Sequence, residues 1–128
     1  MKAILDTSVL VSADKPDLAG LECRISSLSY AEMHFGLTVA RDDHERNQRM
    51  LRFNRVLSLY GNGMAFDDRV AGSYGYLTGL VKEAGRNPRS RTADLMIAAT
   101  AHSAGVALVT RNPGDLTGLE SVIEVLAR

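Results

Sequence analysis

A single cysteine, Cys23, stands among 128 residues, which excludes an internal disulfide framework and a thiolate metal site built by this chain alone. A small, inert, buried residue is the role expected of it. The three histidines, His34, His44 and His102, form no pair at metal-ligand spacing, so imidazole catalysis is not expected. Net charge is missing too: 15 basic residues balance 15 acidic ones. The molecule as a whole therefore does not attract polyanions, and any nucleic-acid contact must be local. No apolar stretch approaches the roughly 20 residues of a membrane span. The short apolar run after Lys2 is broken at Asp6, which is not a secretory pattern. A cytoplasmic protein without a membrane partner is expected. Lysine is scarce, with only Lys2, Lys15 and Lys82 against twelve arginines, and arginine is the cation whose planar fork suits phosphate and carboxylate.

What is present suits one domain spanning residues 1–128. Hydrophobic residues make up 45% of the chain, enough for a single core. There is no internal repeat, low-complexity tract or linker. MKAILD reads as a first strand, followed by a short helix capped by Thr7 or Ser8. ECRISSLS reads as a second strand running into a helix, with Ser29 and Glu32 spaced as a capping box that puts Glu32 in the first turn. From about Asp42 to Tyr60 the apolar residues Met50, Phe53, Val56 and Leu57 recur at helical spacing. MAF is a brief strand, and Asp67-Asp68 opens another helix with Val70, Tyr74, Leu77 and Val81 on one side. TADLMIAATAHSAG is a helix with Thr92 as N-cap and Gly105 as its stop. VALVT is a buried strand, RNPGDLTG an irregular turn and SVIEVL a last strand. Strands alternating with helices predict an α/β fold, a sandwich with a largely parallel central sheet.

In such sheets sites lie beyond the carboxyl ends of the strands. Asp6 ends the first strand, Glu32 lies early in the following helix, Asp94 lies in the first turn of the Thr92 helix, and Asp115 follows VALVT. Alone, Asp94 is explained by the helix dipole, Glu32 by capping and Asp115 by a turn. Asp6 has no such local job, because an ionised carboxylate directly after Ile4-Leu5 needs a partner, a proton or a metal. If the acids converge, each ionised pair repels by about 4 kcal/mol at ~4 Å and an effective dielectric near 20. No lysine lies near Glu32, Asp94 or Asp115 in sequence, so a hard divalent cation such as Mg²⁺ or Mn²⁺ is the economical counter-charge. Such a site suits phosphate-ester chemistry.

ILDTSVL, SSLSYAEMHFG, RTADLMIAATA and LVTRNPGDL together resemble, in order and spacing, the motifs of PIN-domain ribonucleases of the VapC toxin type, over nearly the whole chain. The resemblance implies a three-layer α/β/α sandwich and Mg²⁺- or Mn²⁺-dependent cleavage of RNA. It also implies a homodimer and a VapB-type antitoxin as partner. Position by position it makes Asp6, Glu32, Asp94 and Asp115 the catalytic acids, with Asp6, Asp94 and Asp115 holding the principal metal. Thr7, Thr110 and Asn112 would orient ligands or waters. Leu116 departs from the pattern, since an aromatic residue often follows the final acid.

Two basic segments could contact RNA phosphates. Arg86, Arg89 and Arg91, with Lys82, precede Asp94 and are the favoured guides. Arg46, Arg49, Arg52 and Arg55 recur every third residue on the long helix, where pairing with Asp42, Asp43 and Glu45 is the plainer account. Tyr30, Met33, Phe35, Met50 and Phe53 could line an antitoxin groove, although core packing accounts for most of them. A haloacid-dehalogenase-like phosphatase is a poor alternative, since Ser8 stands where it needs a second acid. A phosphoacceptor domain lacks its late lysine. A catalytically weak PIN-like RNA-binding module is the remaining alternative to an endoribonuclease.

Overall fold

Alternation along very short strands sets the layering. In the computed structural model, which describes residues 1–128, four strands form one wholly parallel sheet in the order β2-β1-β3-β4. They are β1 (Lys2–Leu5), β2 (Glu22–Ile25), β3 (Ala107–Thr110) and β4 (Val125–Ala127). Ala3, Leu5, Ala107 and Val109 face one side and pack with Val9, Ile25, Met33, Phe53 and Val56. Ile4 and Leu108 face the other and pack with Val70, Leu77, Val81, Leu95 and Ile97. The first cluster is covered by α1 (Thr7–Leu10), α2 (Ser27–Thr38) and α3 (Asp43–Tyr60), and the second by α4 (Asp68–Glu83) and α5 (Thr92–Ala104). The expected α/β/α sandwich is the result. No helix is long and apolar enough to cross a membrane.

The helix ends follow the sequence. Asp42 and Asp67 accept hydrogen bonds from the backbone N–H groups of Glu45 and Val70, and Gly105 closes α5 in the left-handed region at φ 68°. Five local expectations shift, the first at α1, where Asp6 instead of Thr7 or Ser8 stands at the N-cap position and the helix begins at Thr7. Ser26, not Ser29, caps α2 by accepting from Leu28 N–H at 3.0 Å, so Glu32 falls beyond the first turn. A 3-10 turn at Pro88–Arg91 runs straight into α5, which makes Arg91 the capping position and Thr92 the first helical residue. MAF contributes only a bridge between Ser26 and Met64, because the chain turns into α2 immediately beyond β2. At that bridge Gly63 lies so close that a Cβ would meet the Ser27 backbone nitrogen at 2.8 Å. The last strand starts at Val125, since residues 119–123 are drawn into a turn by bonds from Val122 and Ile123 N–H to the Leu119 carbonyl.

The topology positions the site. From β1 the chain goes first to β2 on one side and later to β3 on the other, so the β1/β3 boundary is where a crevice opens at the carboxyl ends of the strands.

Candidate active site

Asp6 stands at this boundary. Its N–H donates to Val109 O at 2.8 Å, and strand alternation turns its side chain to the Ile4 face, toward α5. It occupies the N-cap position of α1, yet its carboxylate caps nothing. Instead Oδ2 accepts from the Ser8 hydroxyl at 2.7 Å and the Thr110 hydroxyl at 3.0 Å, while Oδ1 receives no hydrogen bond. Ser8 Oγ also accepts from Arg111 N–H at 3.1 Å, and Thr110 Oγ1 from Asn112 N–H at 3.1 Å. Both hydroxyls thus have their protons directed at Asp6 by backbone donors behind them. The residue is 8% exposed; two charge-directed hydrogen bonds hold it in one orientation.

Asp94, in the first turn of α5, and Asp115, in a 3-10 turn at Pro113–Leu116, line the same pocket as Asp6, Thr110 and Asn112, floored by Leu108 and Leu116. Burial pushes the Asp94 pKa up to about 6, and the negative charges of Asp6, Asp115 and Glu32 add to that, against a smaller opposing effect of Arg91. Asp115 is paired with Arg91 at 2.5 Å, and Arg86 donates to Gly114 O at 3.0 Å. Glu32 sits outside the pocket in an adjoining cleft, where Thr7 donates to its Oε1 at 2.7 Å. Because Thr7 spends its proton on Glu32, the buried Ser29 hydroxyl donates to Thr7 at 2.9 Å.

All four predicted acids thus gather at one end of β1 and β3, although no three of them already stand in a ligating array. Arg91 holds Asp115 to one side. The donor chemistry nonetheless fits a hard cation: every ligand candidate is an oxygen, only Asp115 of the four acids is paired with a guanidinium, and Asp6 presents an Oδ1 without a hydrogen bond. Thr7 donates to Glu32 and Thr110 to Asp6, whereas Asn112 meets the site's hydrogen bonds only through its backbone N–H, which donates to Thr110. Of the favoured basic residues, Arg86 and Arg91 are committed to the Asp115 segment, while Lys82 and Arg89 are exposed without a side-chain partner. Ser8 and Ser29 escaped sequence reasoning. Ser8 lies two residues from Asp6, but nothing in the local spacing shows that its hydroxyl turns to that carboxylate instead of capping α1. Among the suggested groove residues, Met33 and Phe53 are buried core and Phe35 is 65% exposed.

No protein-family model matches the sequence, and no curated protein matches it. Solved structures do. VapBC-5 from Mycobacterium tuberculosis, a member of the VapBC family of toxin-antitoxin systems, matches with a TM-score of 0.81 at 23% identity, over 99% of this chain and 98% of the other. VapBC-1 from nontypeable Haemophilus influenzae matches at 0.78 and 19% identity, over 99% and 98%. FitAcB from Neisseria gonorrhoeae matches at 0.76 and 24% identity, over 97% and 96%. At these identities the likeness establishes a shared fold, the PIN sandwich, end to end.

Proposed function

We propose that this chain, which has the PIN fold of VapBC toxin-antitoxin proteins, is a VapC-type toxin: a Mg²⁺- or Mn²⁺-dependent endoribonuclease, homodimeric and held in check by a VapB-type antitoxin. The observation that carries it is the meeting of Asp6, Asp94 and Asp115 in one pocket at the β1/β3 switch, where burial, with the neighbouring negative charges adding to it, lifts Asp94 to about 6. Carboxylates left so close to one another call for a counter-cation.

Hydrolysis of RNA would form a bond from water oxygen to phosphorus as the bond to the 3′ oxygen breaks, leaving a 5′-phosphate and a 3′-hydroxyl. A bound divalent ion supplies Lewis acidity toward the phosphoryl oxygens and makes water more acidic. The chain's own residues would act by placement. Asp6, Asp94 and Asp115 would hold the ion, and Ser8 and Thr110 fix Asp6 through Oδ2, leaving Oδ1 without a hydrogen bond. Thr7 keeps Glu32 at its edge. Ser8→Ala is therefore expected to weaken Mn²⁺ affinity by about tenfold or more, the usual scale for groups supporting a ligand. Calorimetric titration of the purified chain reads this directly, and unchanged affinity would refute the positioning role.

The test of function is incubation of the purified chain with total cellular RNA and Mn²⁺, followed by mapping of the ends. New 5′-phosphate ends, suppressed by EDTA and by the co-expressed antitoxin, are expected. RNA binding without new ends would instead favour a catalytically weak PIN-like RNA-binding module.

A further inference from the structure

The four arginines spaced three apart along α3, Arg46, Arg49, Arg52 and Arg55, are not neutralised as helix-surface pairing predicts. Only Arg49 meets an acid, with Nη2 at 2.6 Å from Glu45, while its other terminal nitrogen donates to the Gly36 carbonyl. Glu45 is shared with Arg41 at 2.7 Å, and the Asp42 carboxylate is spent on capping the helix. Arg46, Arg52 and Arg55 take part in no ion pair. Arg52 stands apart from the other two because it is half-buried, lining with Arg49, Thr7 and Glu32 a cleft of about 350 Å³. The cleft holds one of the four acids and the neighbour of another: Glu32 lines it and accepts from Thr7 at 2.7 Å, and Thr7 directly follows Asp6. The arginines define its α3 side and Glu32 its side toward the acids. The other basic segment offers less, since Arg86 and Arg91 are tied to Asp115 and its neighbour.

We infer that this cleft is a phosphate-binding subsite for the RNA backbone, with Arg52 as its free cation and Arg49 as a fixed one. A phosphodiester there would find an uncommitted guanidinium fork beside the acids that act on a neighbouring bond. The inference rests on the ribonuclease activity proposed above, and the test separates the two. In an Asp6→Asn background, binding of a fluorescein-labelled, mixed-sequence single-stranded RNA is followed by anisotropy across a KCl series. Arg52→Ala should weaken binding about tenfold and lower the slope of log affinity against log salt by about 0.7, the loss of one phosphate contact. Arg52→Lys should retain the slope. Arg24→Ala, the same charge change on the exposed edge strand, should do neither. In the cleaving chain, Arg52→Ala should raise KM with kcat held within about twofold, the pattern of lost uniform binding. If the parent binds and cuts RNA while Arg52→Ala matches it in affinity and slope, or if Arg89→Ala alone shows the loss, the subsite is refuted. A parent that neither binds nor cuts RNA would refute the ribonuclease activity and the subsite with it.

Discussion

Asp6→Asn is expected to give a folded chain whose RNA cleavage is more than about a hundredfold slower, because loss of a group that merely supports a ligand already costs 10- to 100-fold. Folding should survive for a local reason. An asparagine Oδ1 placed where Asp6 Oδ2 lies still accepts from Ser8 and Thr110, and the new NH₂ takes the place of the unbonded Oδ1. The backbone bond from residue 6 to Val109 is untouched. The removed charge also relieves Asp94, so no stability need be lost. The measurement is the rate of appearance of 5′-phosphate ends at saturating Mn²⁺, with circular dichroism to verify the fold. Cleavage within tenfold of the unmodified chain would remove Asp6 from the catalytic set and, with it, the reason for a metal at the β1/β3 switch.

The sequence carried the layout of this site better than its contacts. Strand-end position and the parallel order of β1 and β3 were readable because Ile4-Leu5 and Ala107–Thr110 are apolar runs with acids or turns immediately after them. Burial of such runs on both faces forces helices to either side, which fixes where the carboxyl ends open. Boundaries were less accessible. Ser26 and Ser29 are both plausible caps three residues apart, and only the long-range bond between Ser29 and Thr7 decides which is free to cap α2. Charge partners were the least accessible. On sequence, Arg91 adjoins Asp94 and reads as a guide for RNA, whereas in the fold it reaches Asp115 across two 3-10 turns. Likewise the acids opening α3 looked sufficient for its arginines until capping claimed one of them and two arginines shared another. Local spacing reports which residues share a face; it does not report which of several competing partners a side chain reaches.

Asp94→Asn should separate function from stability by moving them in opposite directions. Cleavage should fall more than about a hundredfold, as for Asp6, while the metal-free protein becomes more stable at neutral pH. An acid whose folded pKa is raised, here from 3.8 to about 6, binds its proton more tightly in the native state. Its contribution is therefore most favourable at low pH, is lost as pH rises from about 4 to about 6, and stays lost above. The full shift corresponds to about 3 kcal/mol, which solvent screening at a half-buried group reduces to about 1–2 kcal/mol. Asparagine also forfeits the attraction of the α5 N-terminus for negative charge, about 0.3–1 kcal/mol in a first turn. Relief of the buried charge's desolvation and of its repulsion by the other acids wins, leaving a net gain of about 1 kcal/mol at pH 7, or roughly 3–5 °C in Tm for a chain of this length. At pH 4, where the native acid is already protonated, the two proteins should converge. Thermal melts in EDTA at both pH values read the difference, and Mn²⁺ at pH 7 should stabilise the unmodified chain more than the variant. A variant less stable than its parent at pH 7 in EDTA would mean that neither burial nor the neighbouring acids burden the Asp94 carboxylate in the free protein, and the case for a divalent ion at this pocket would lose its electrostatic basis.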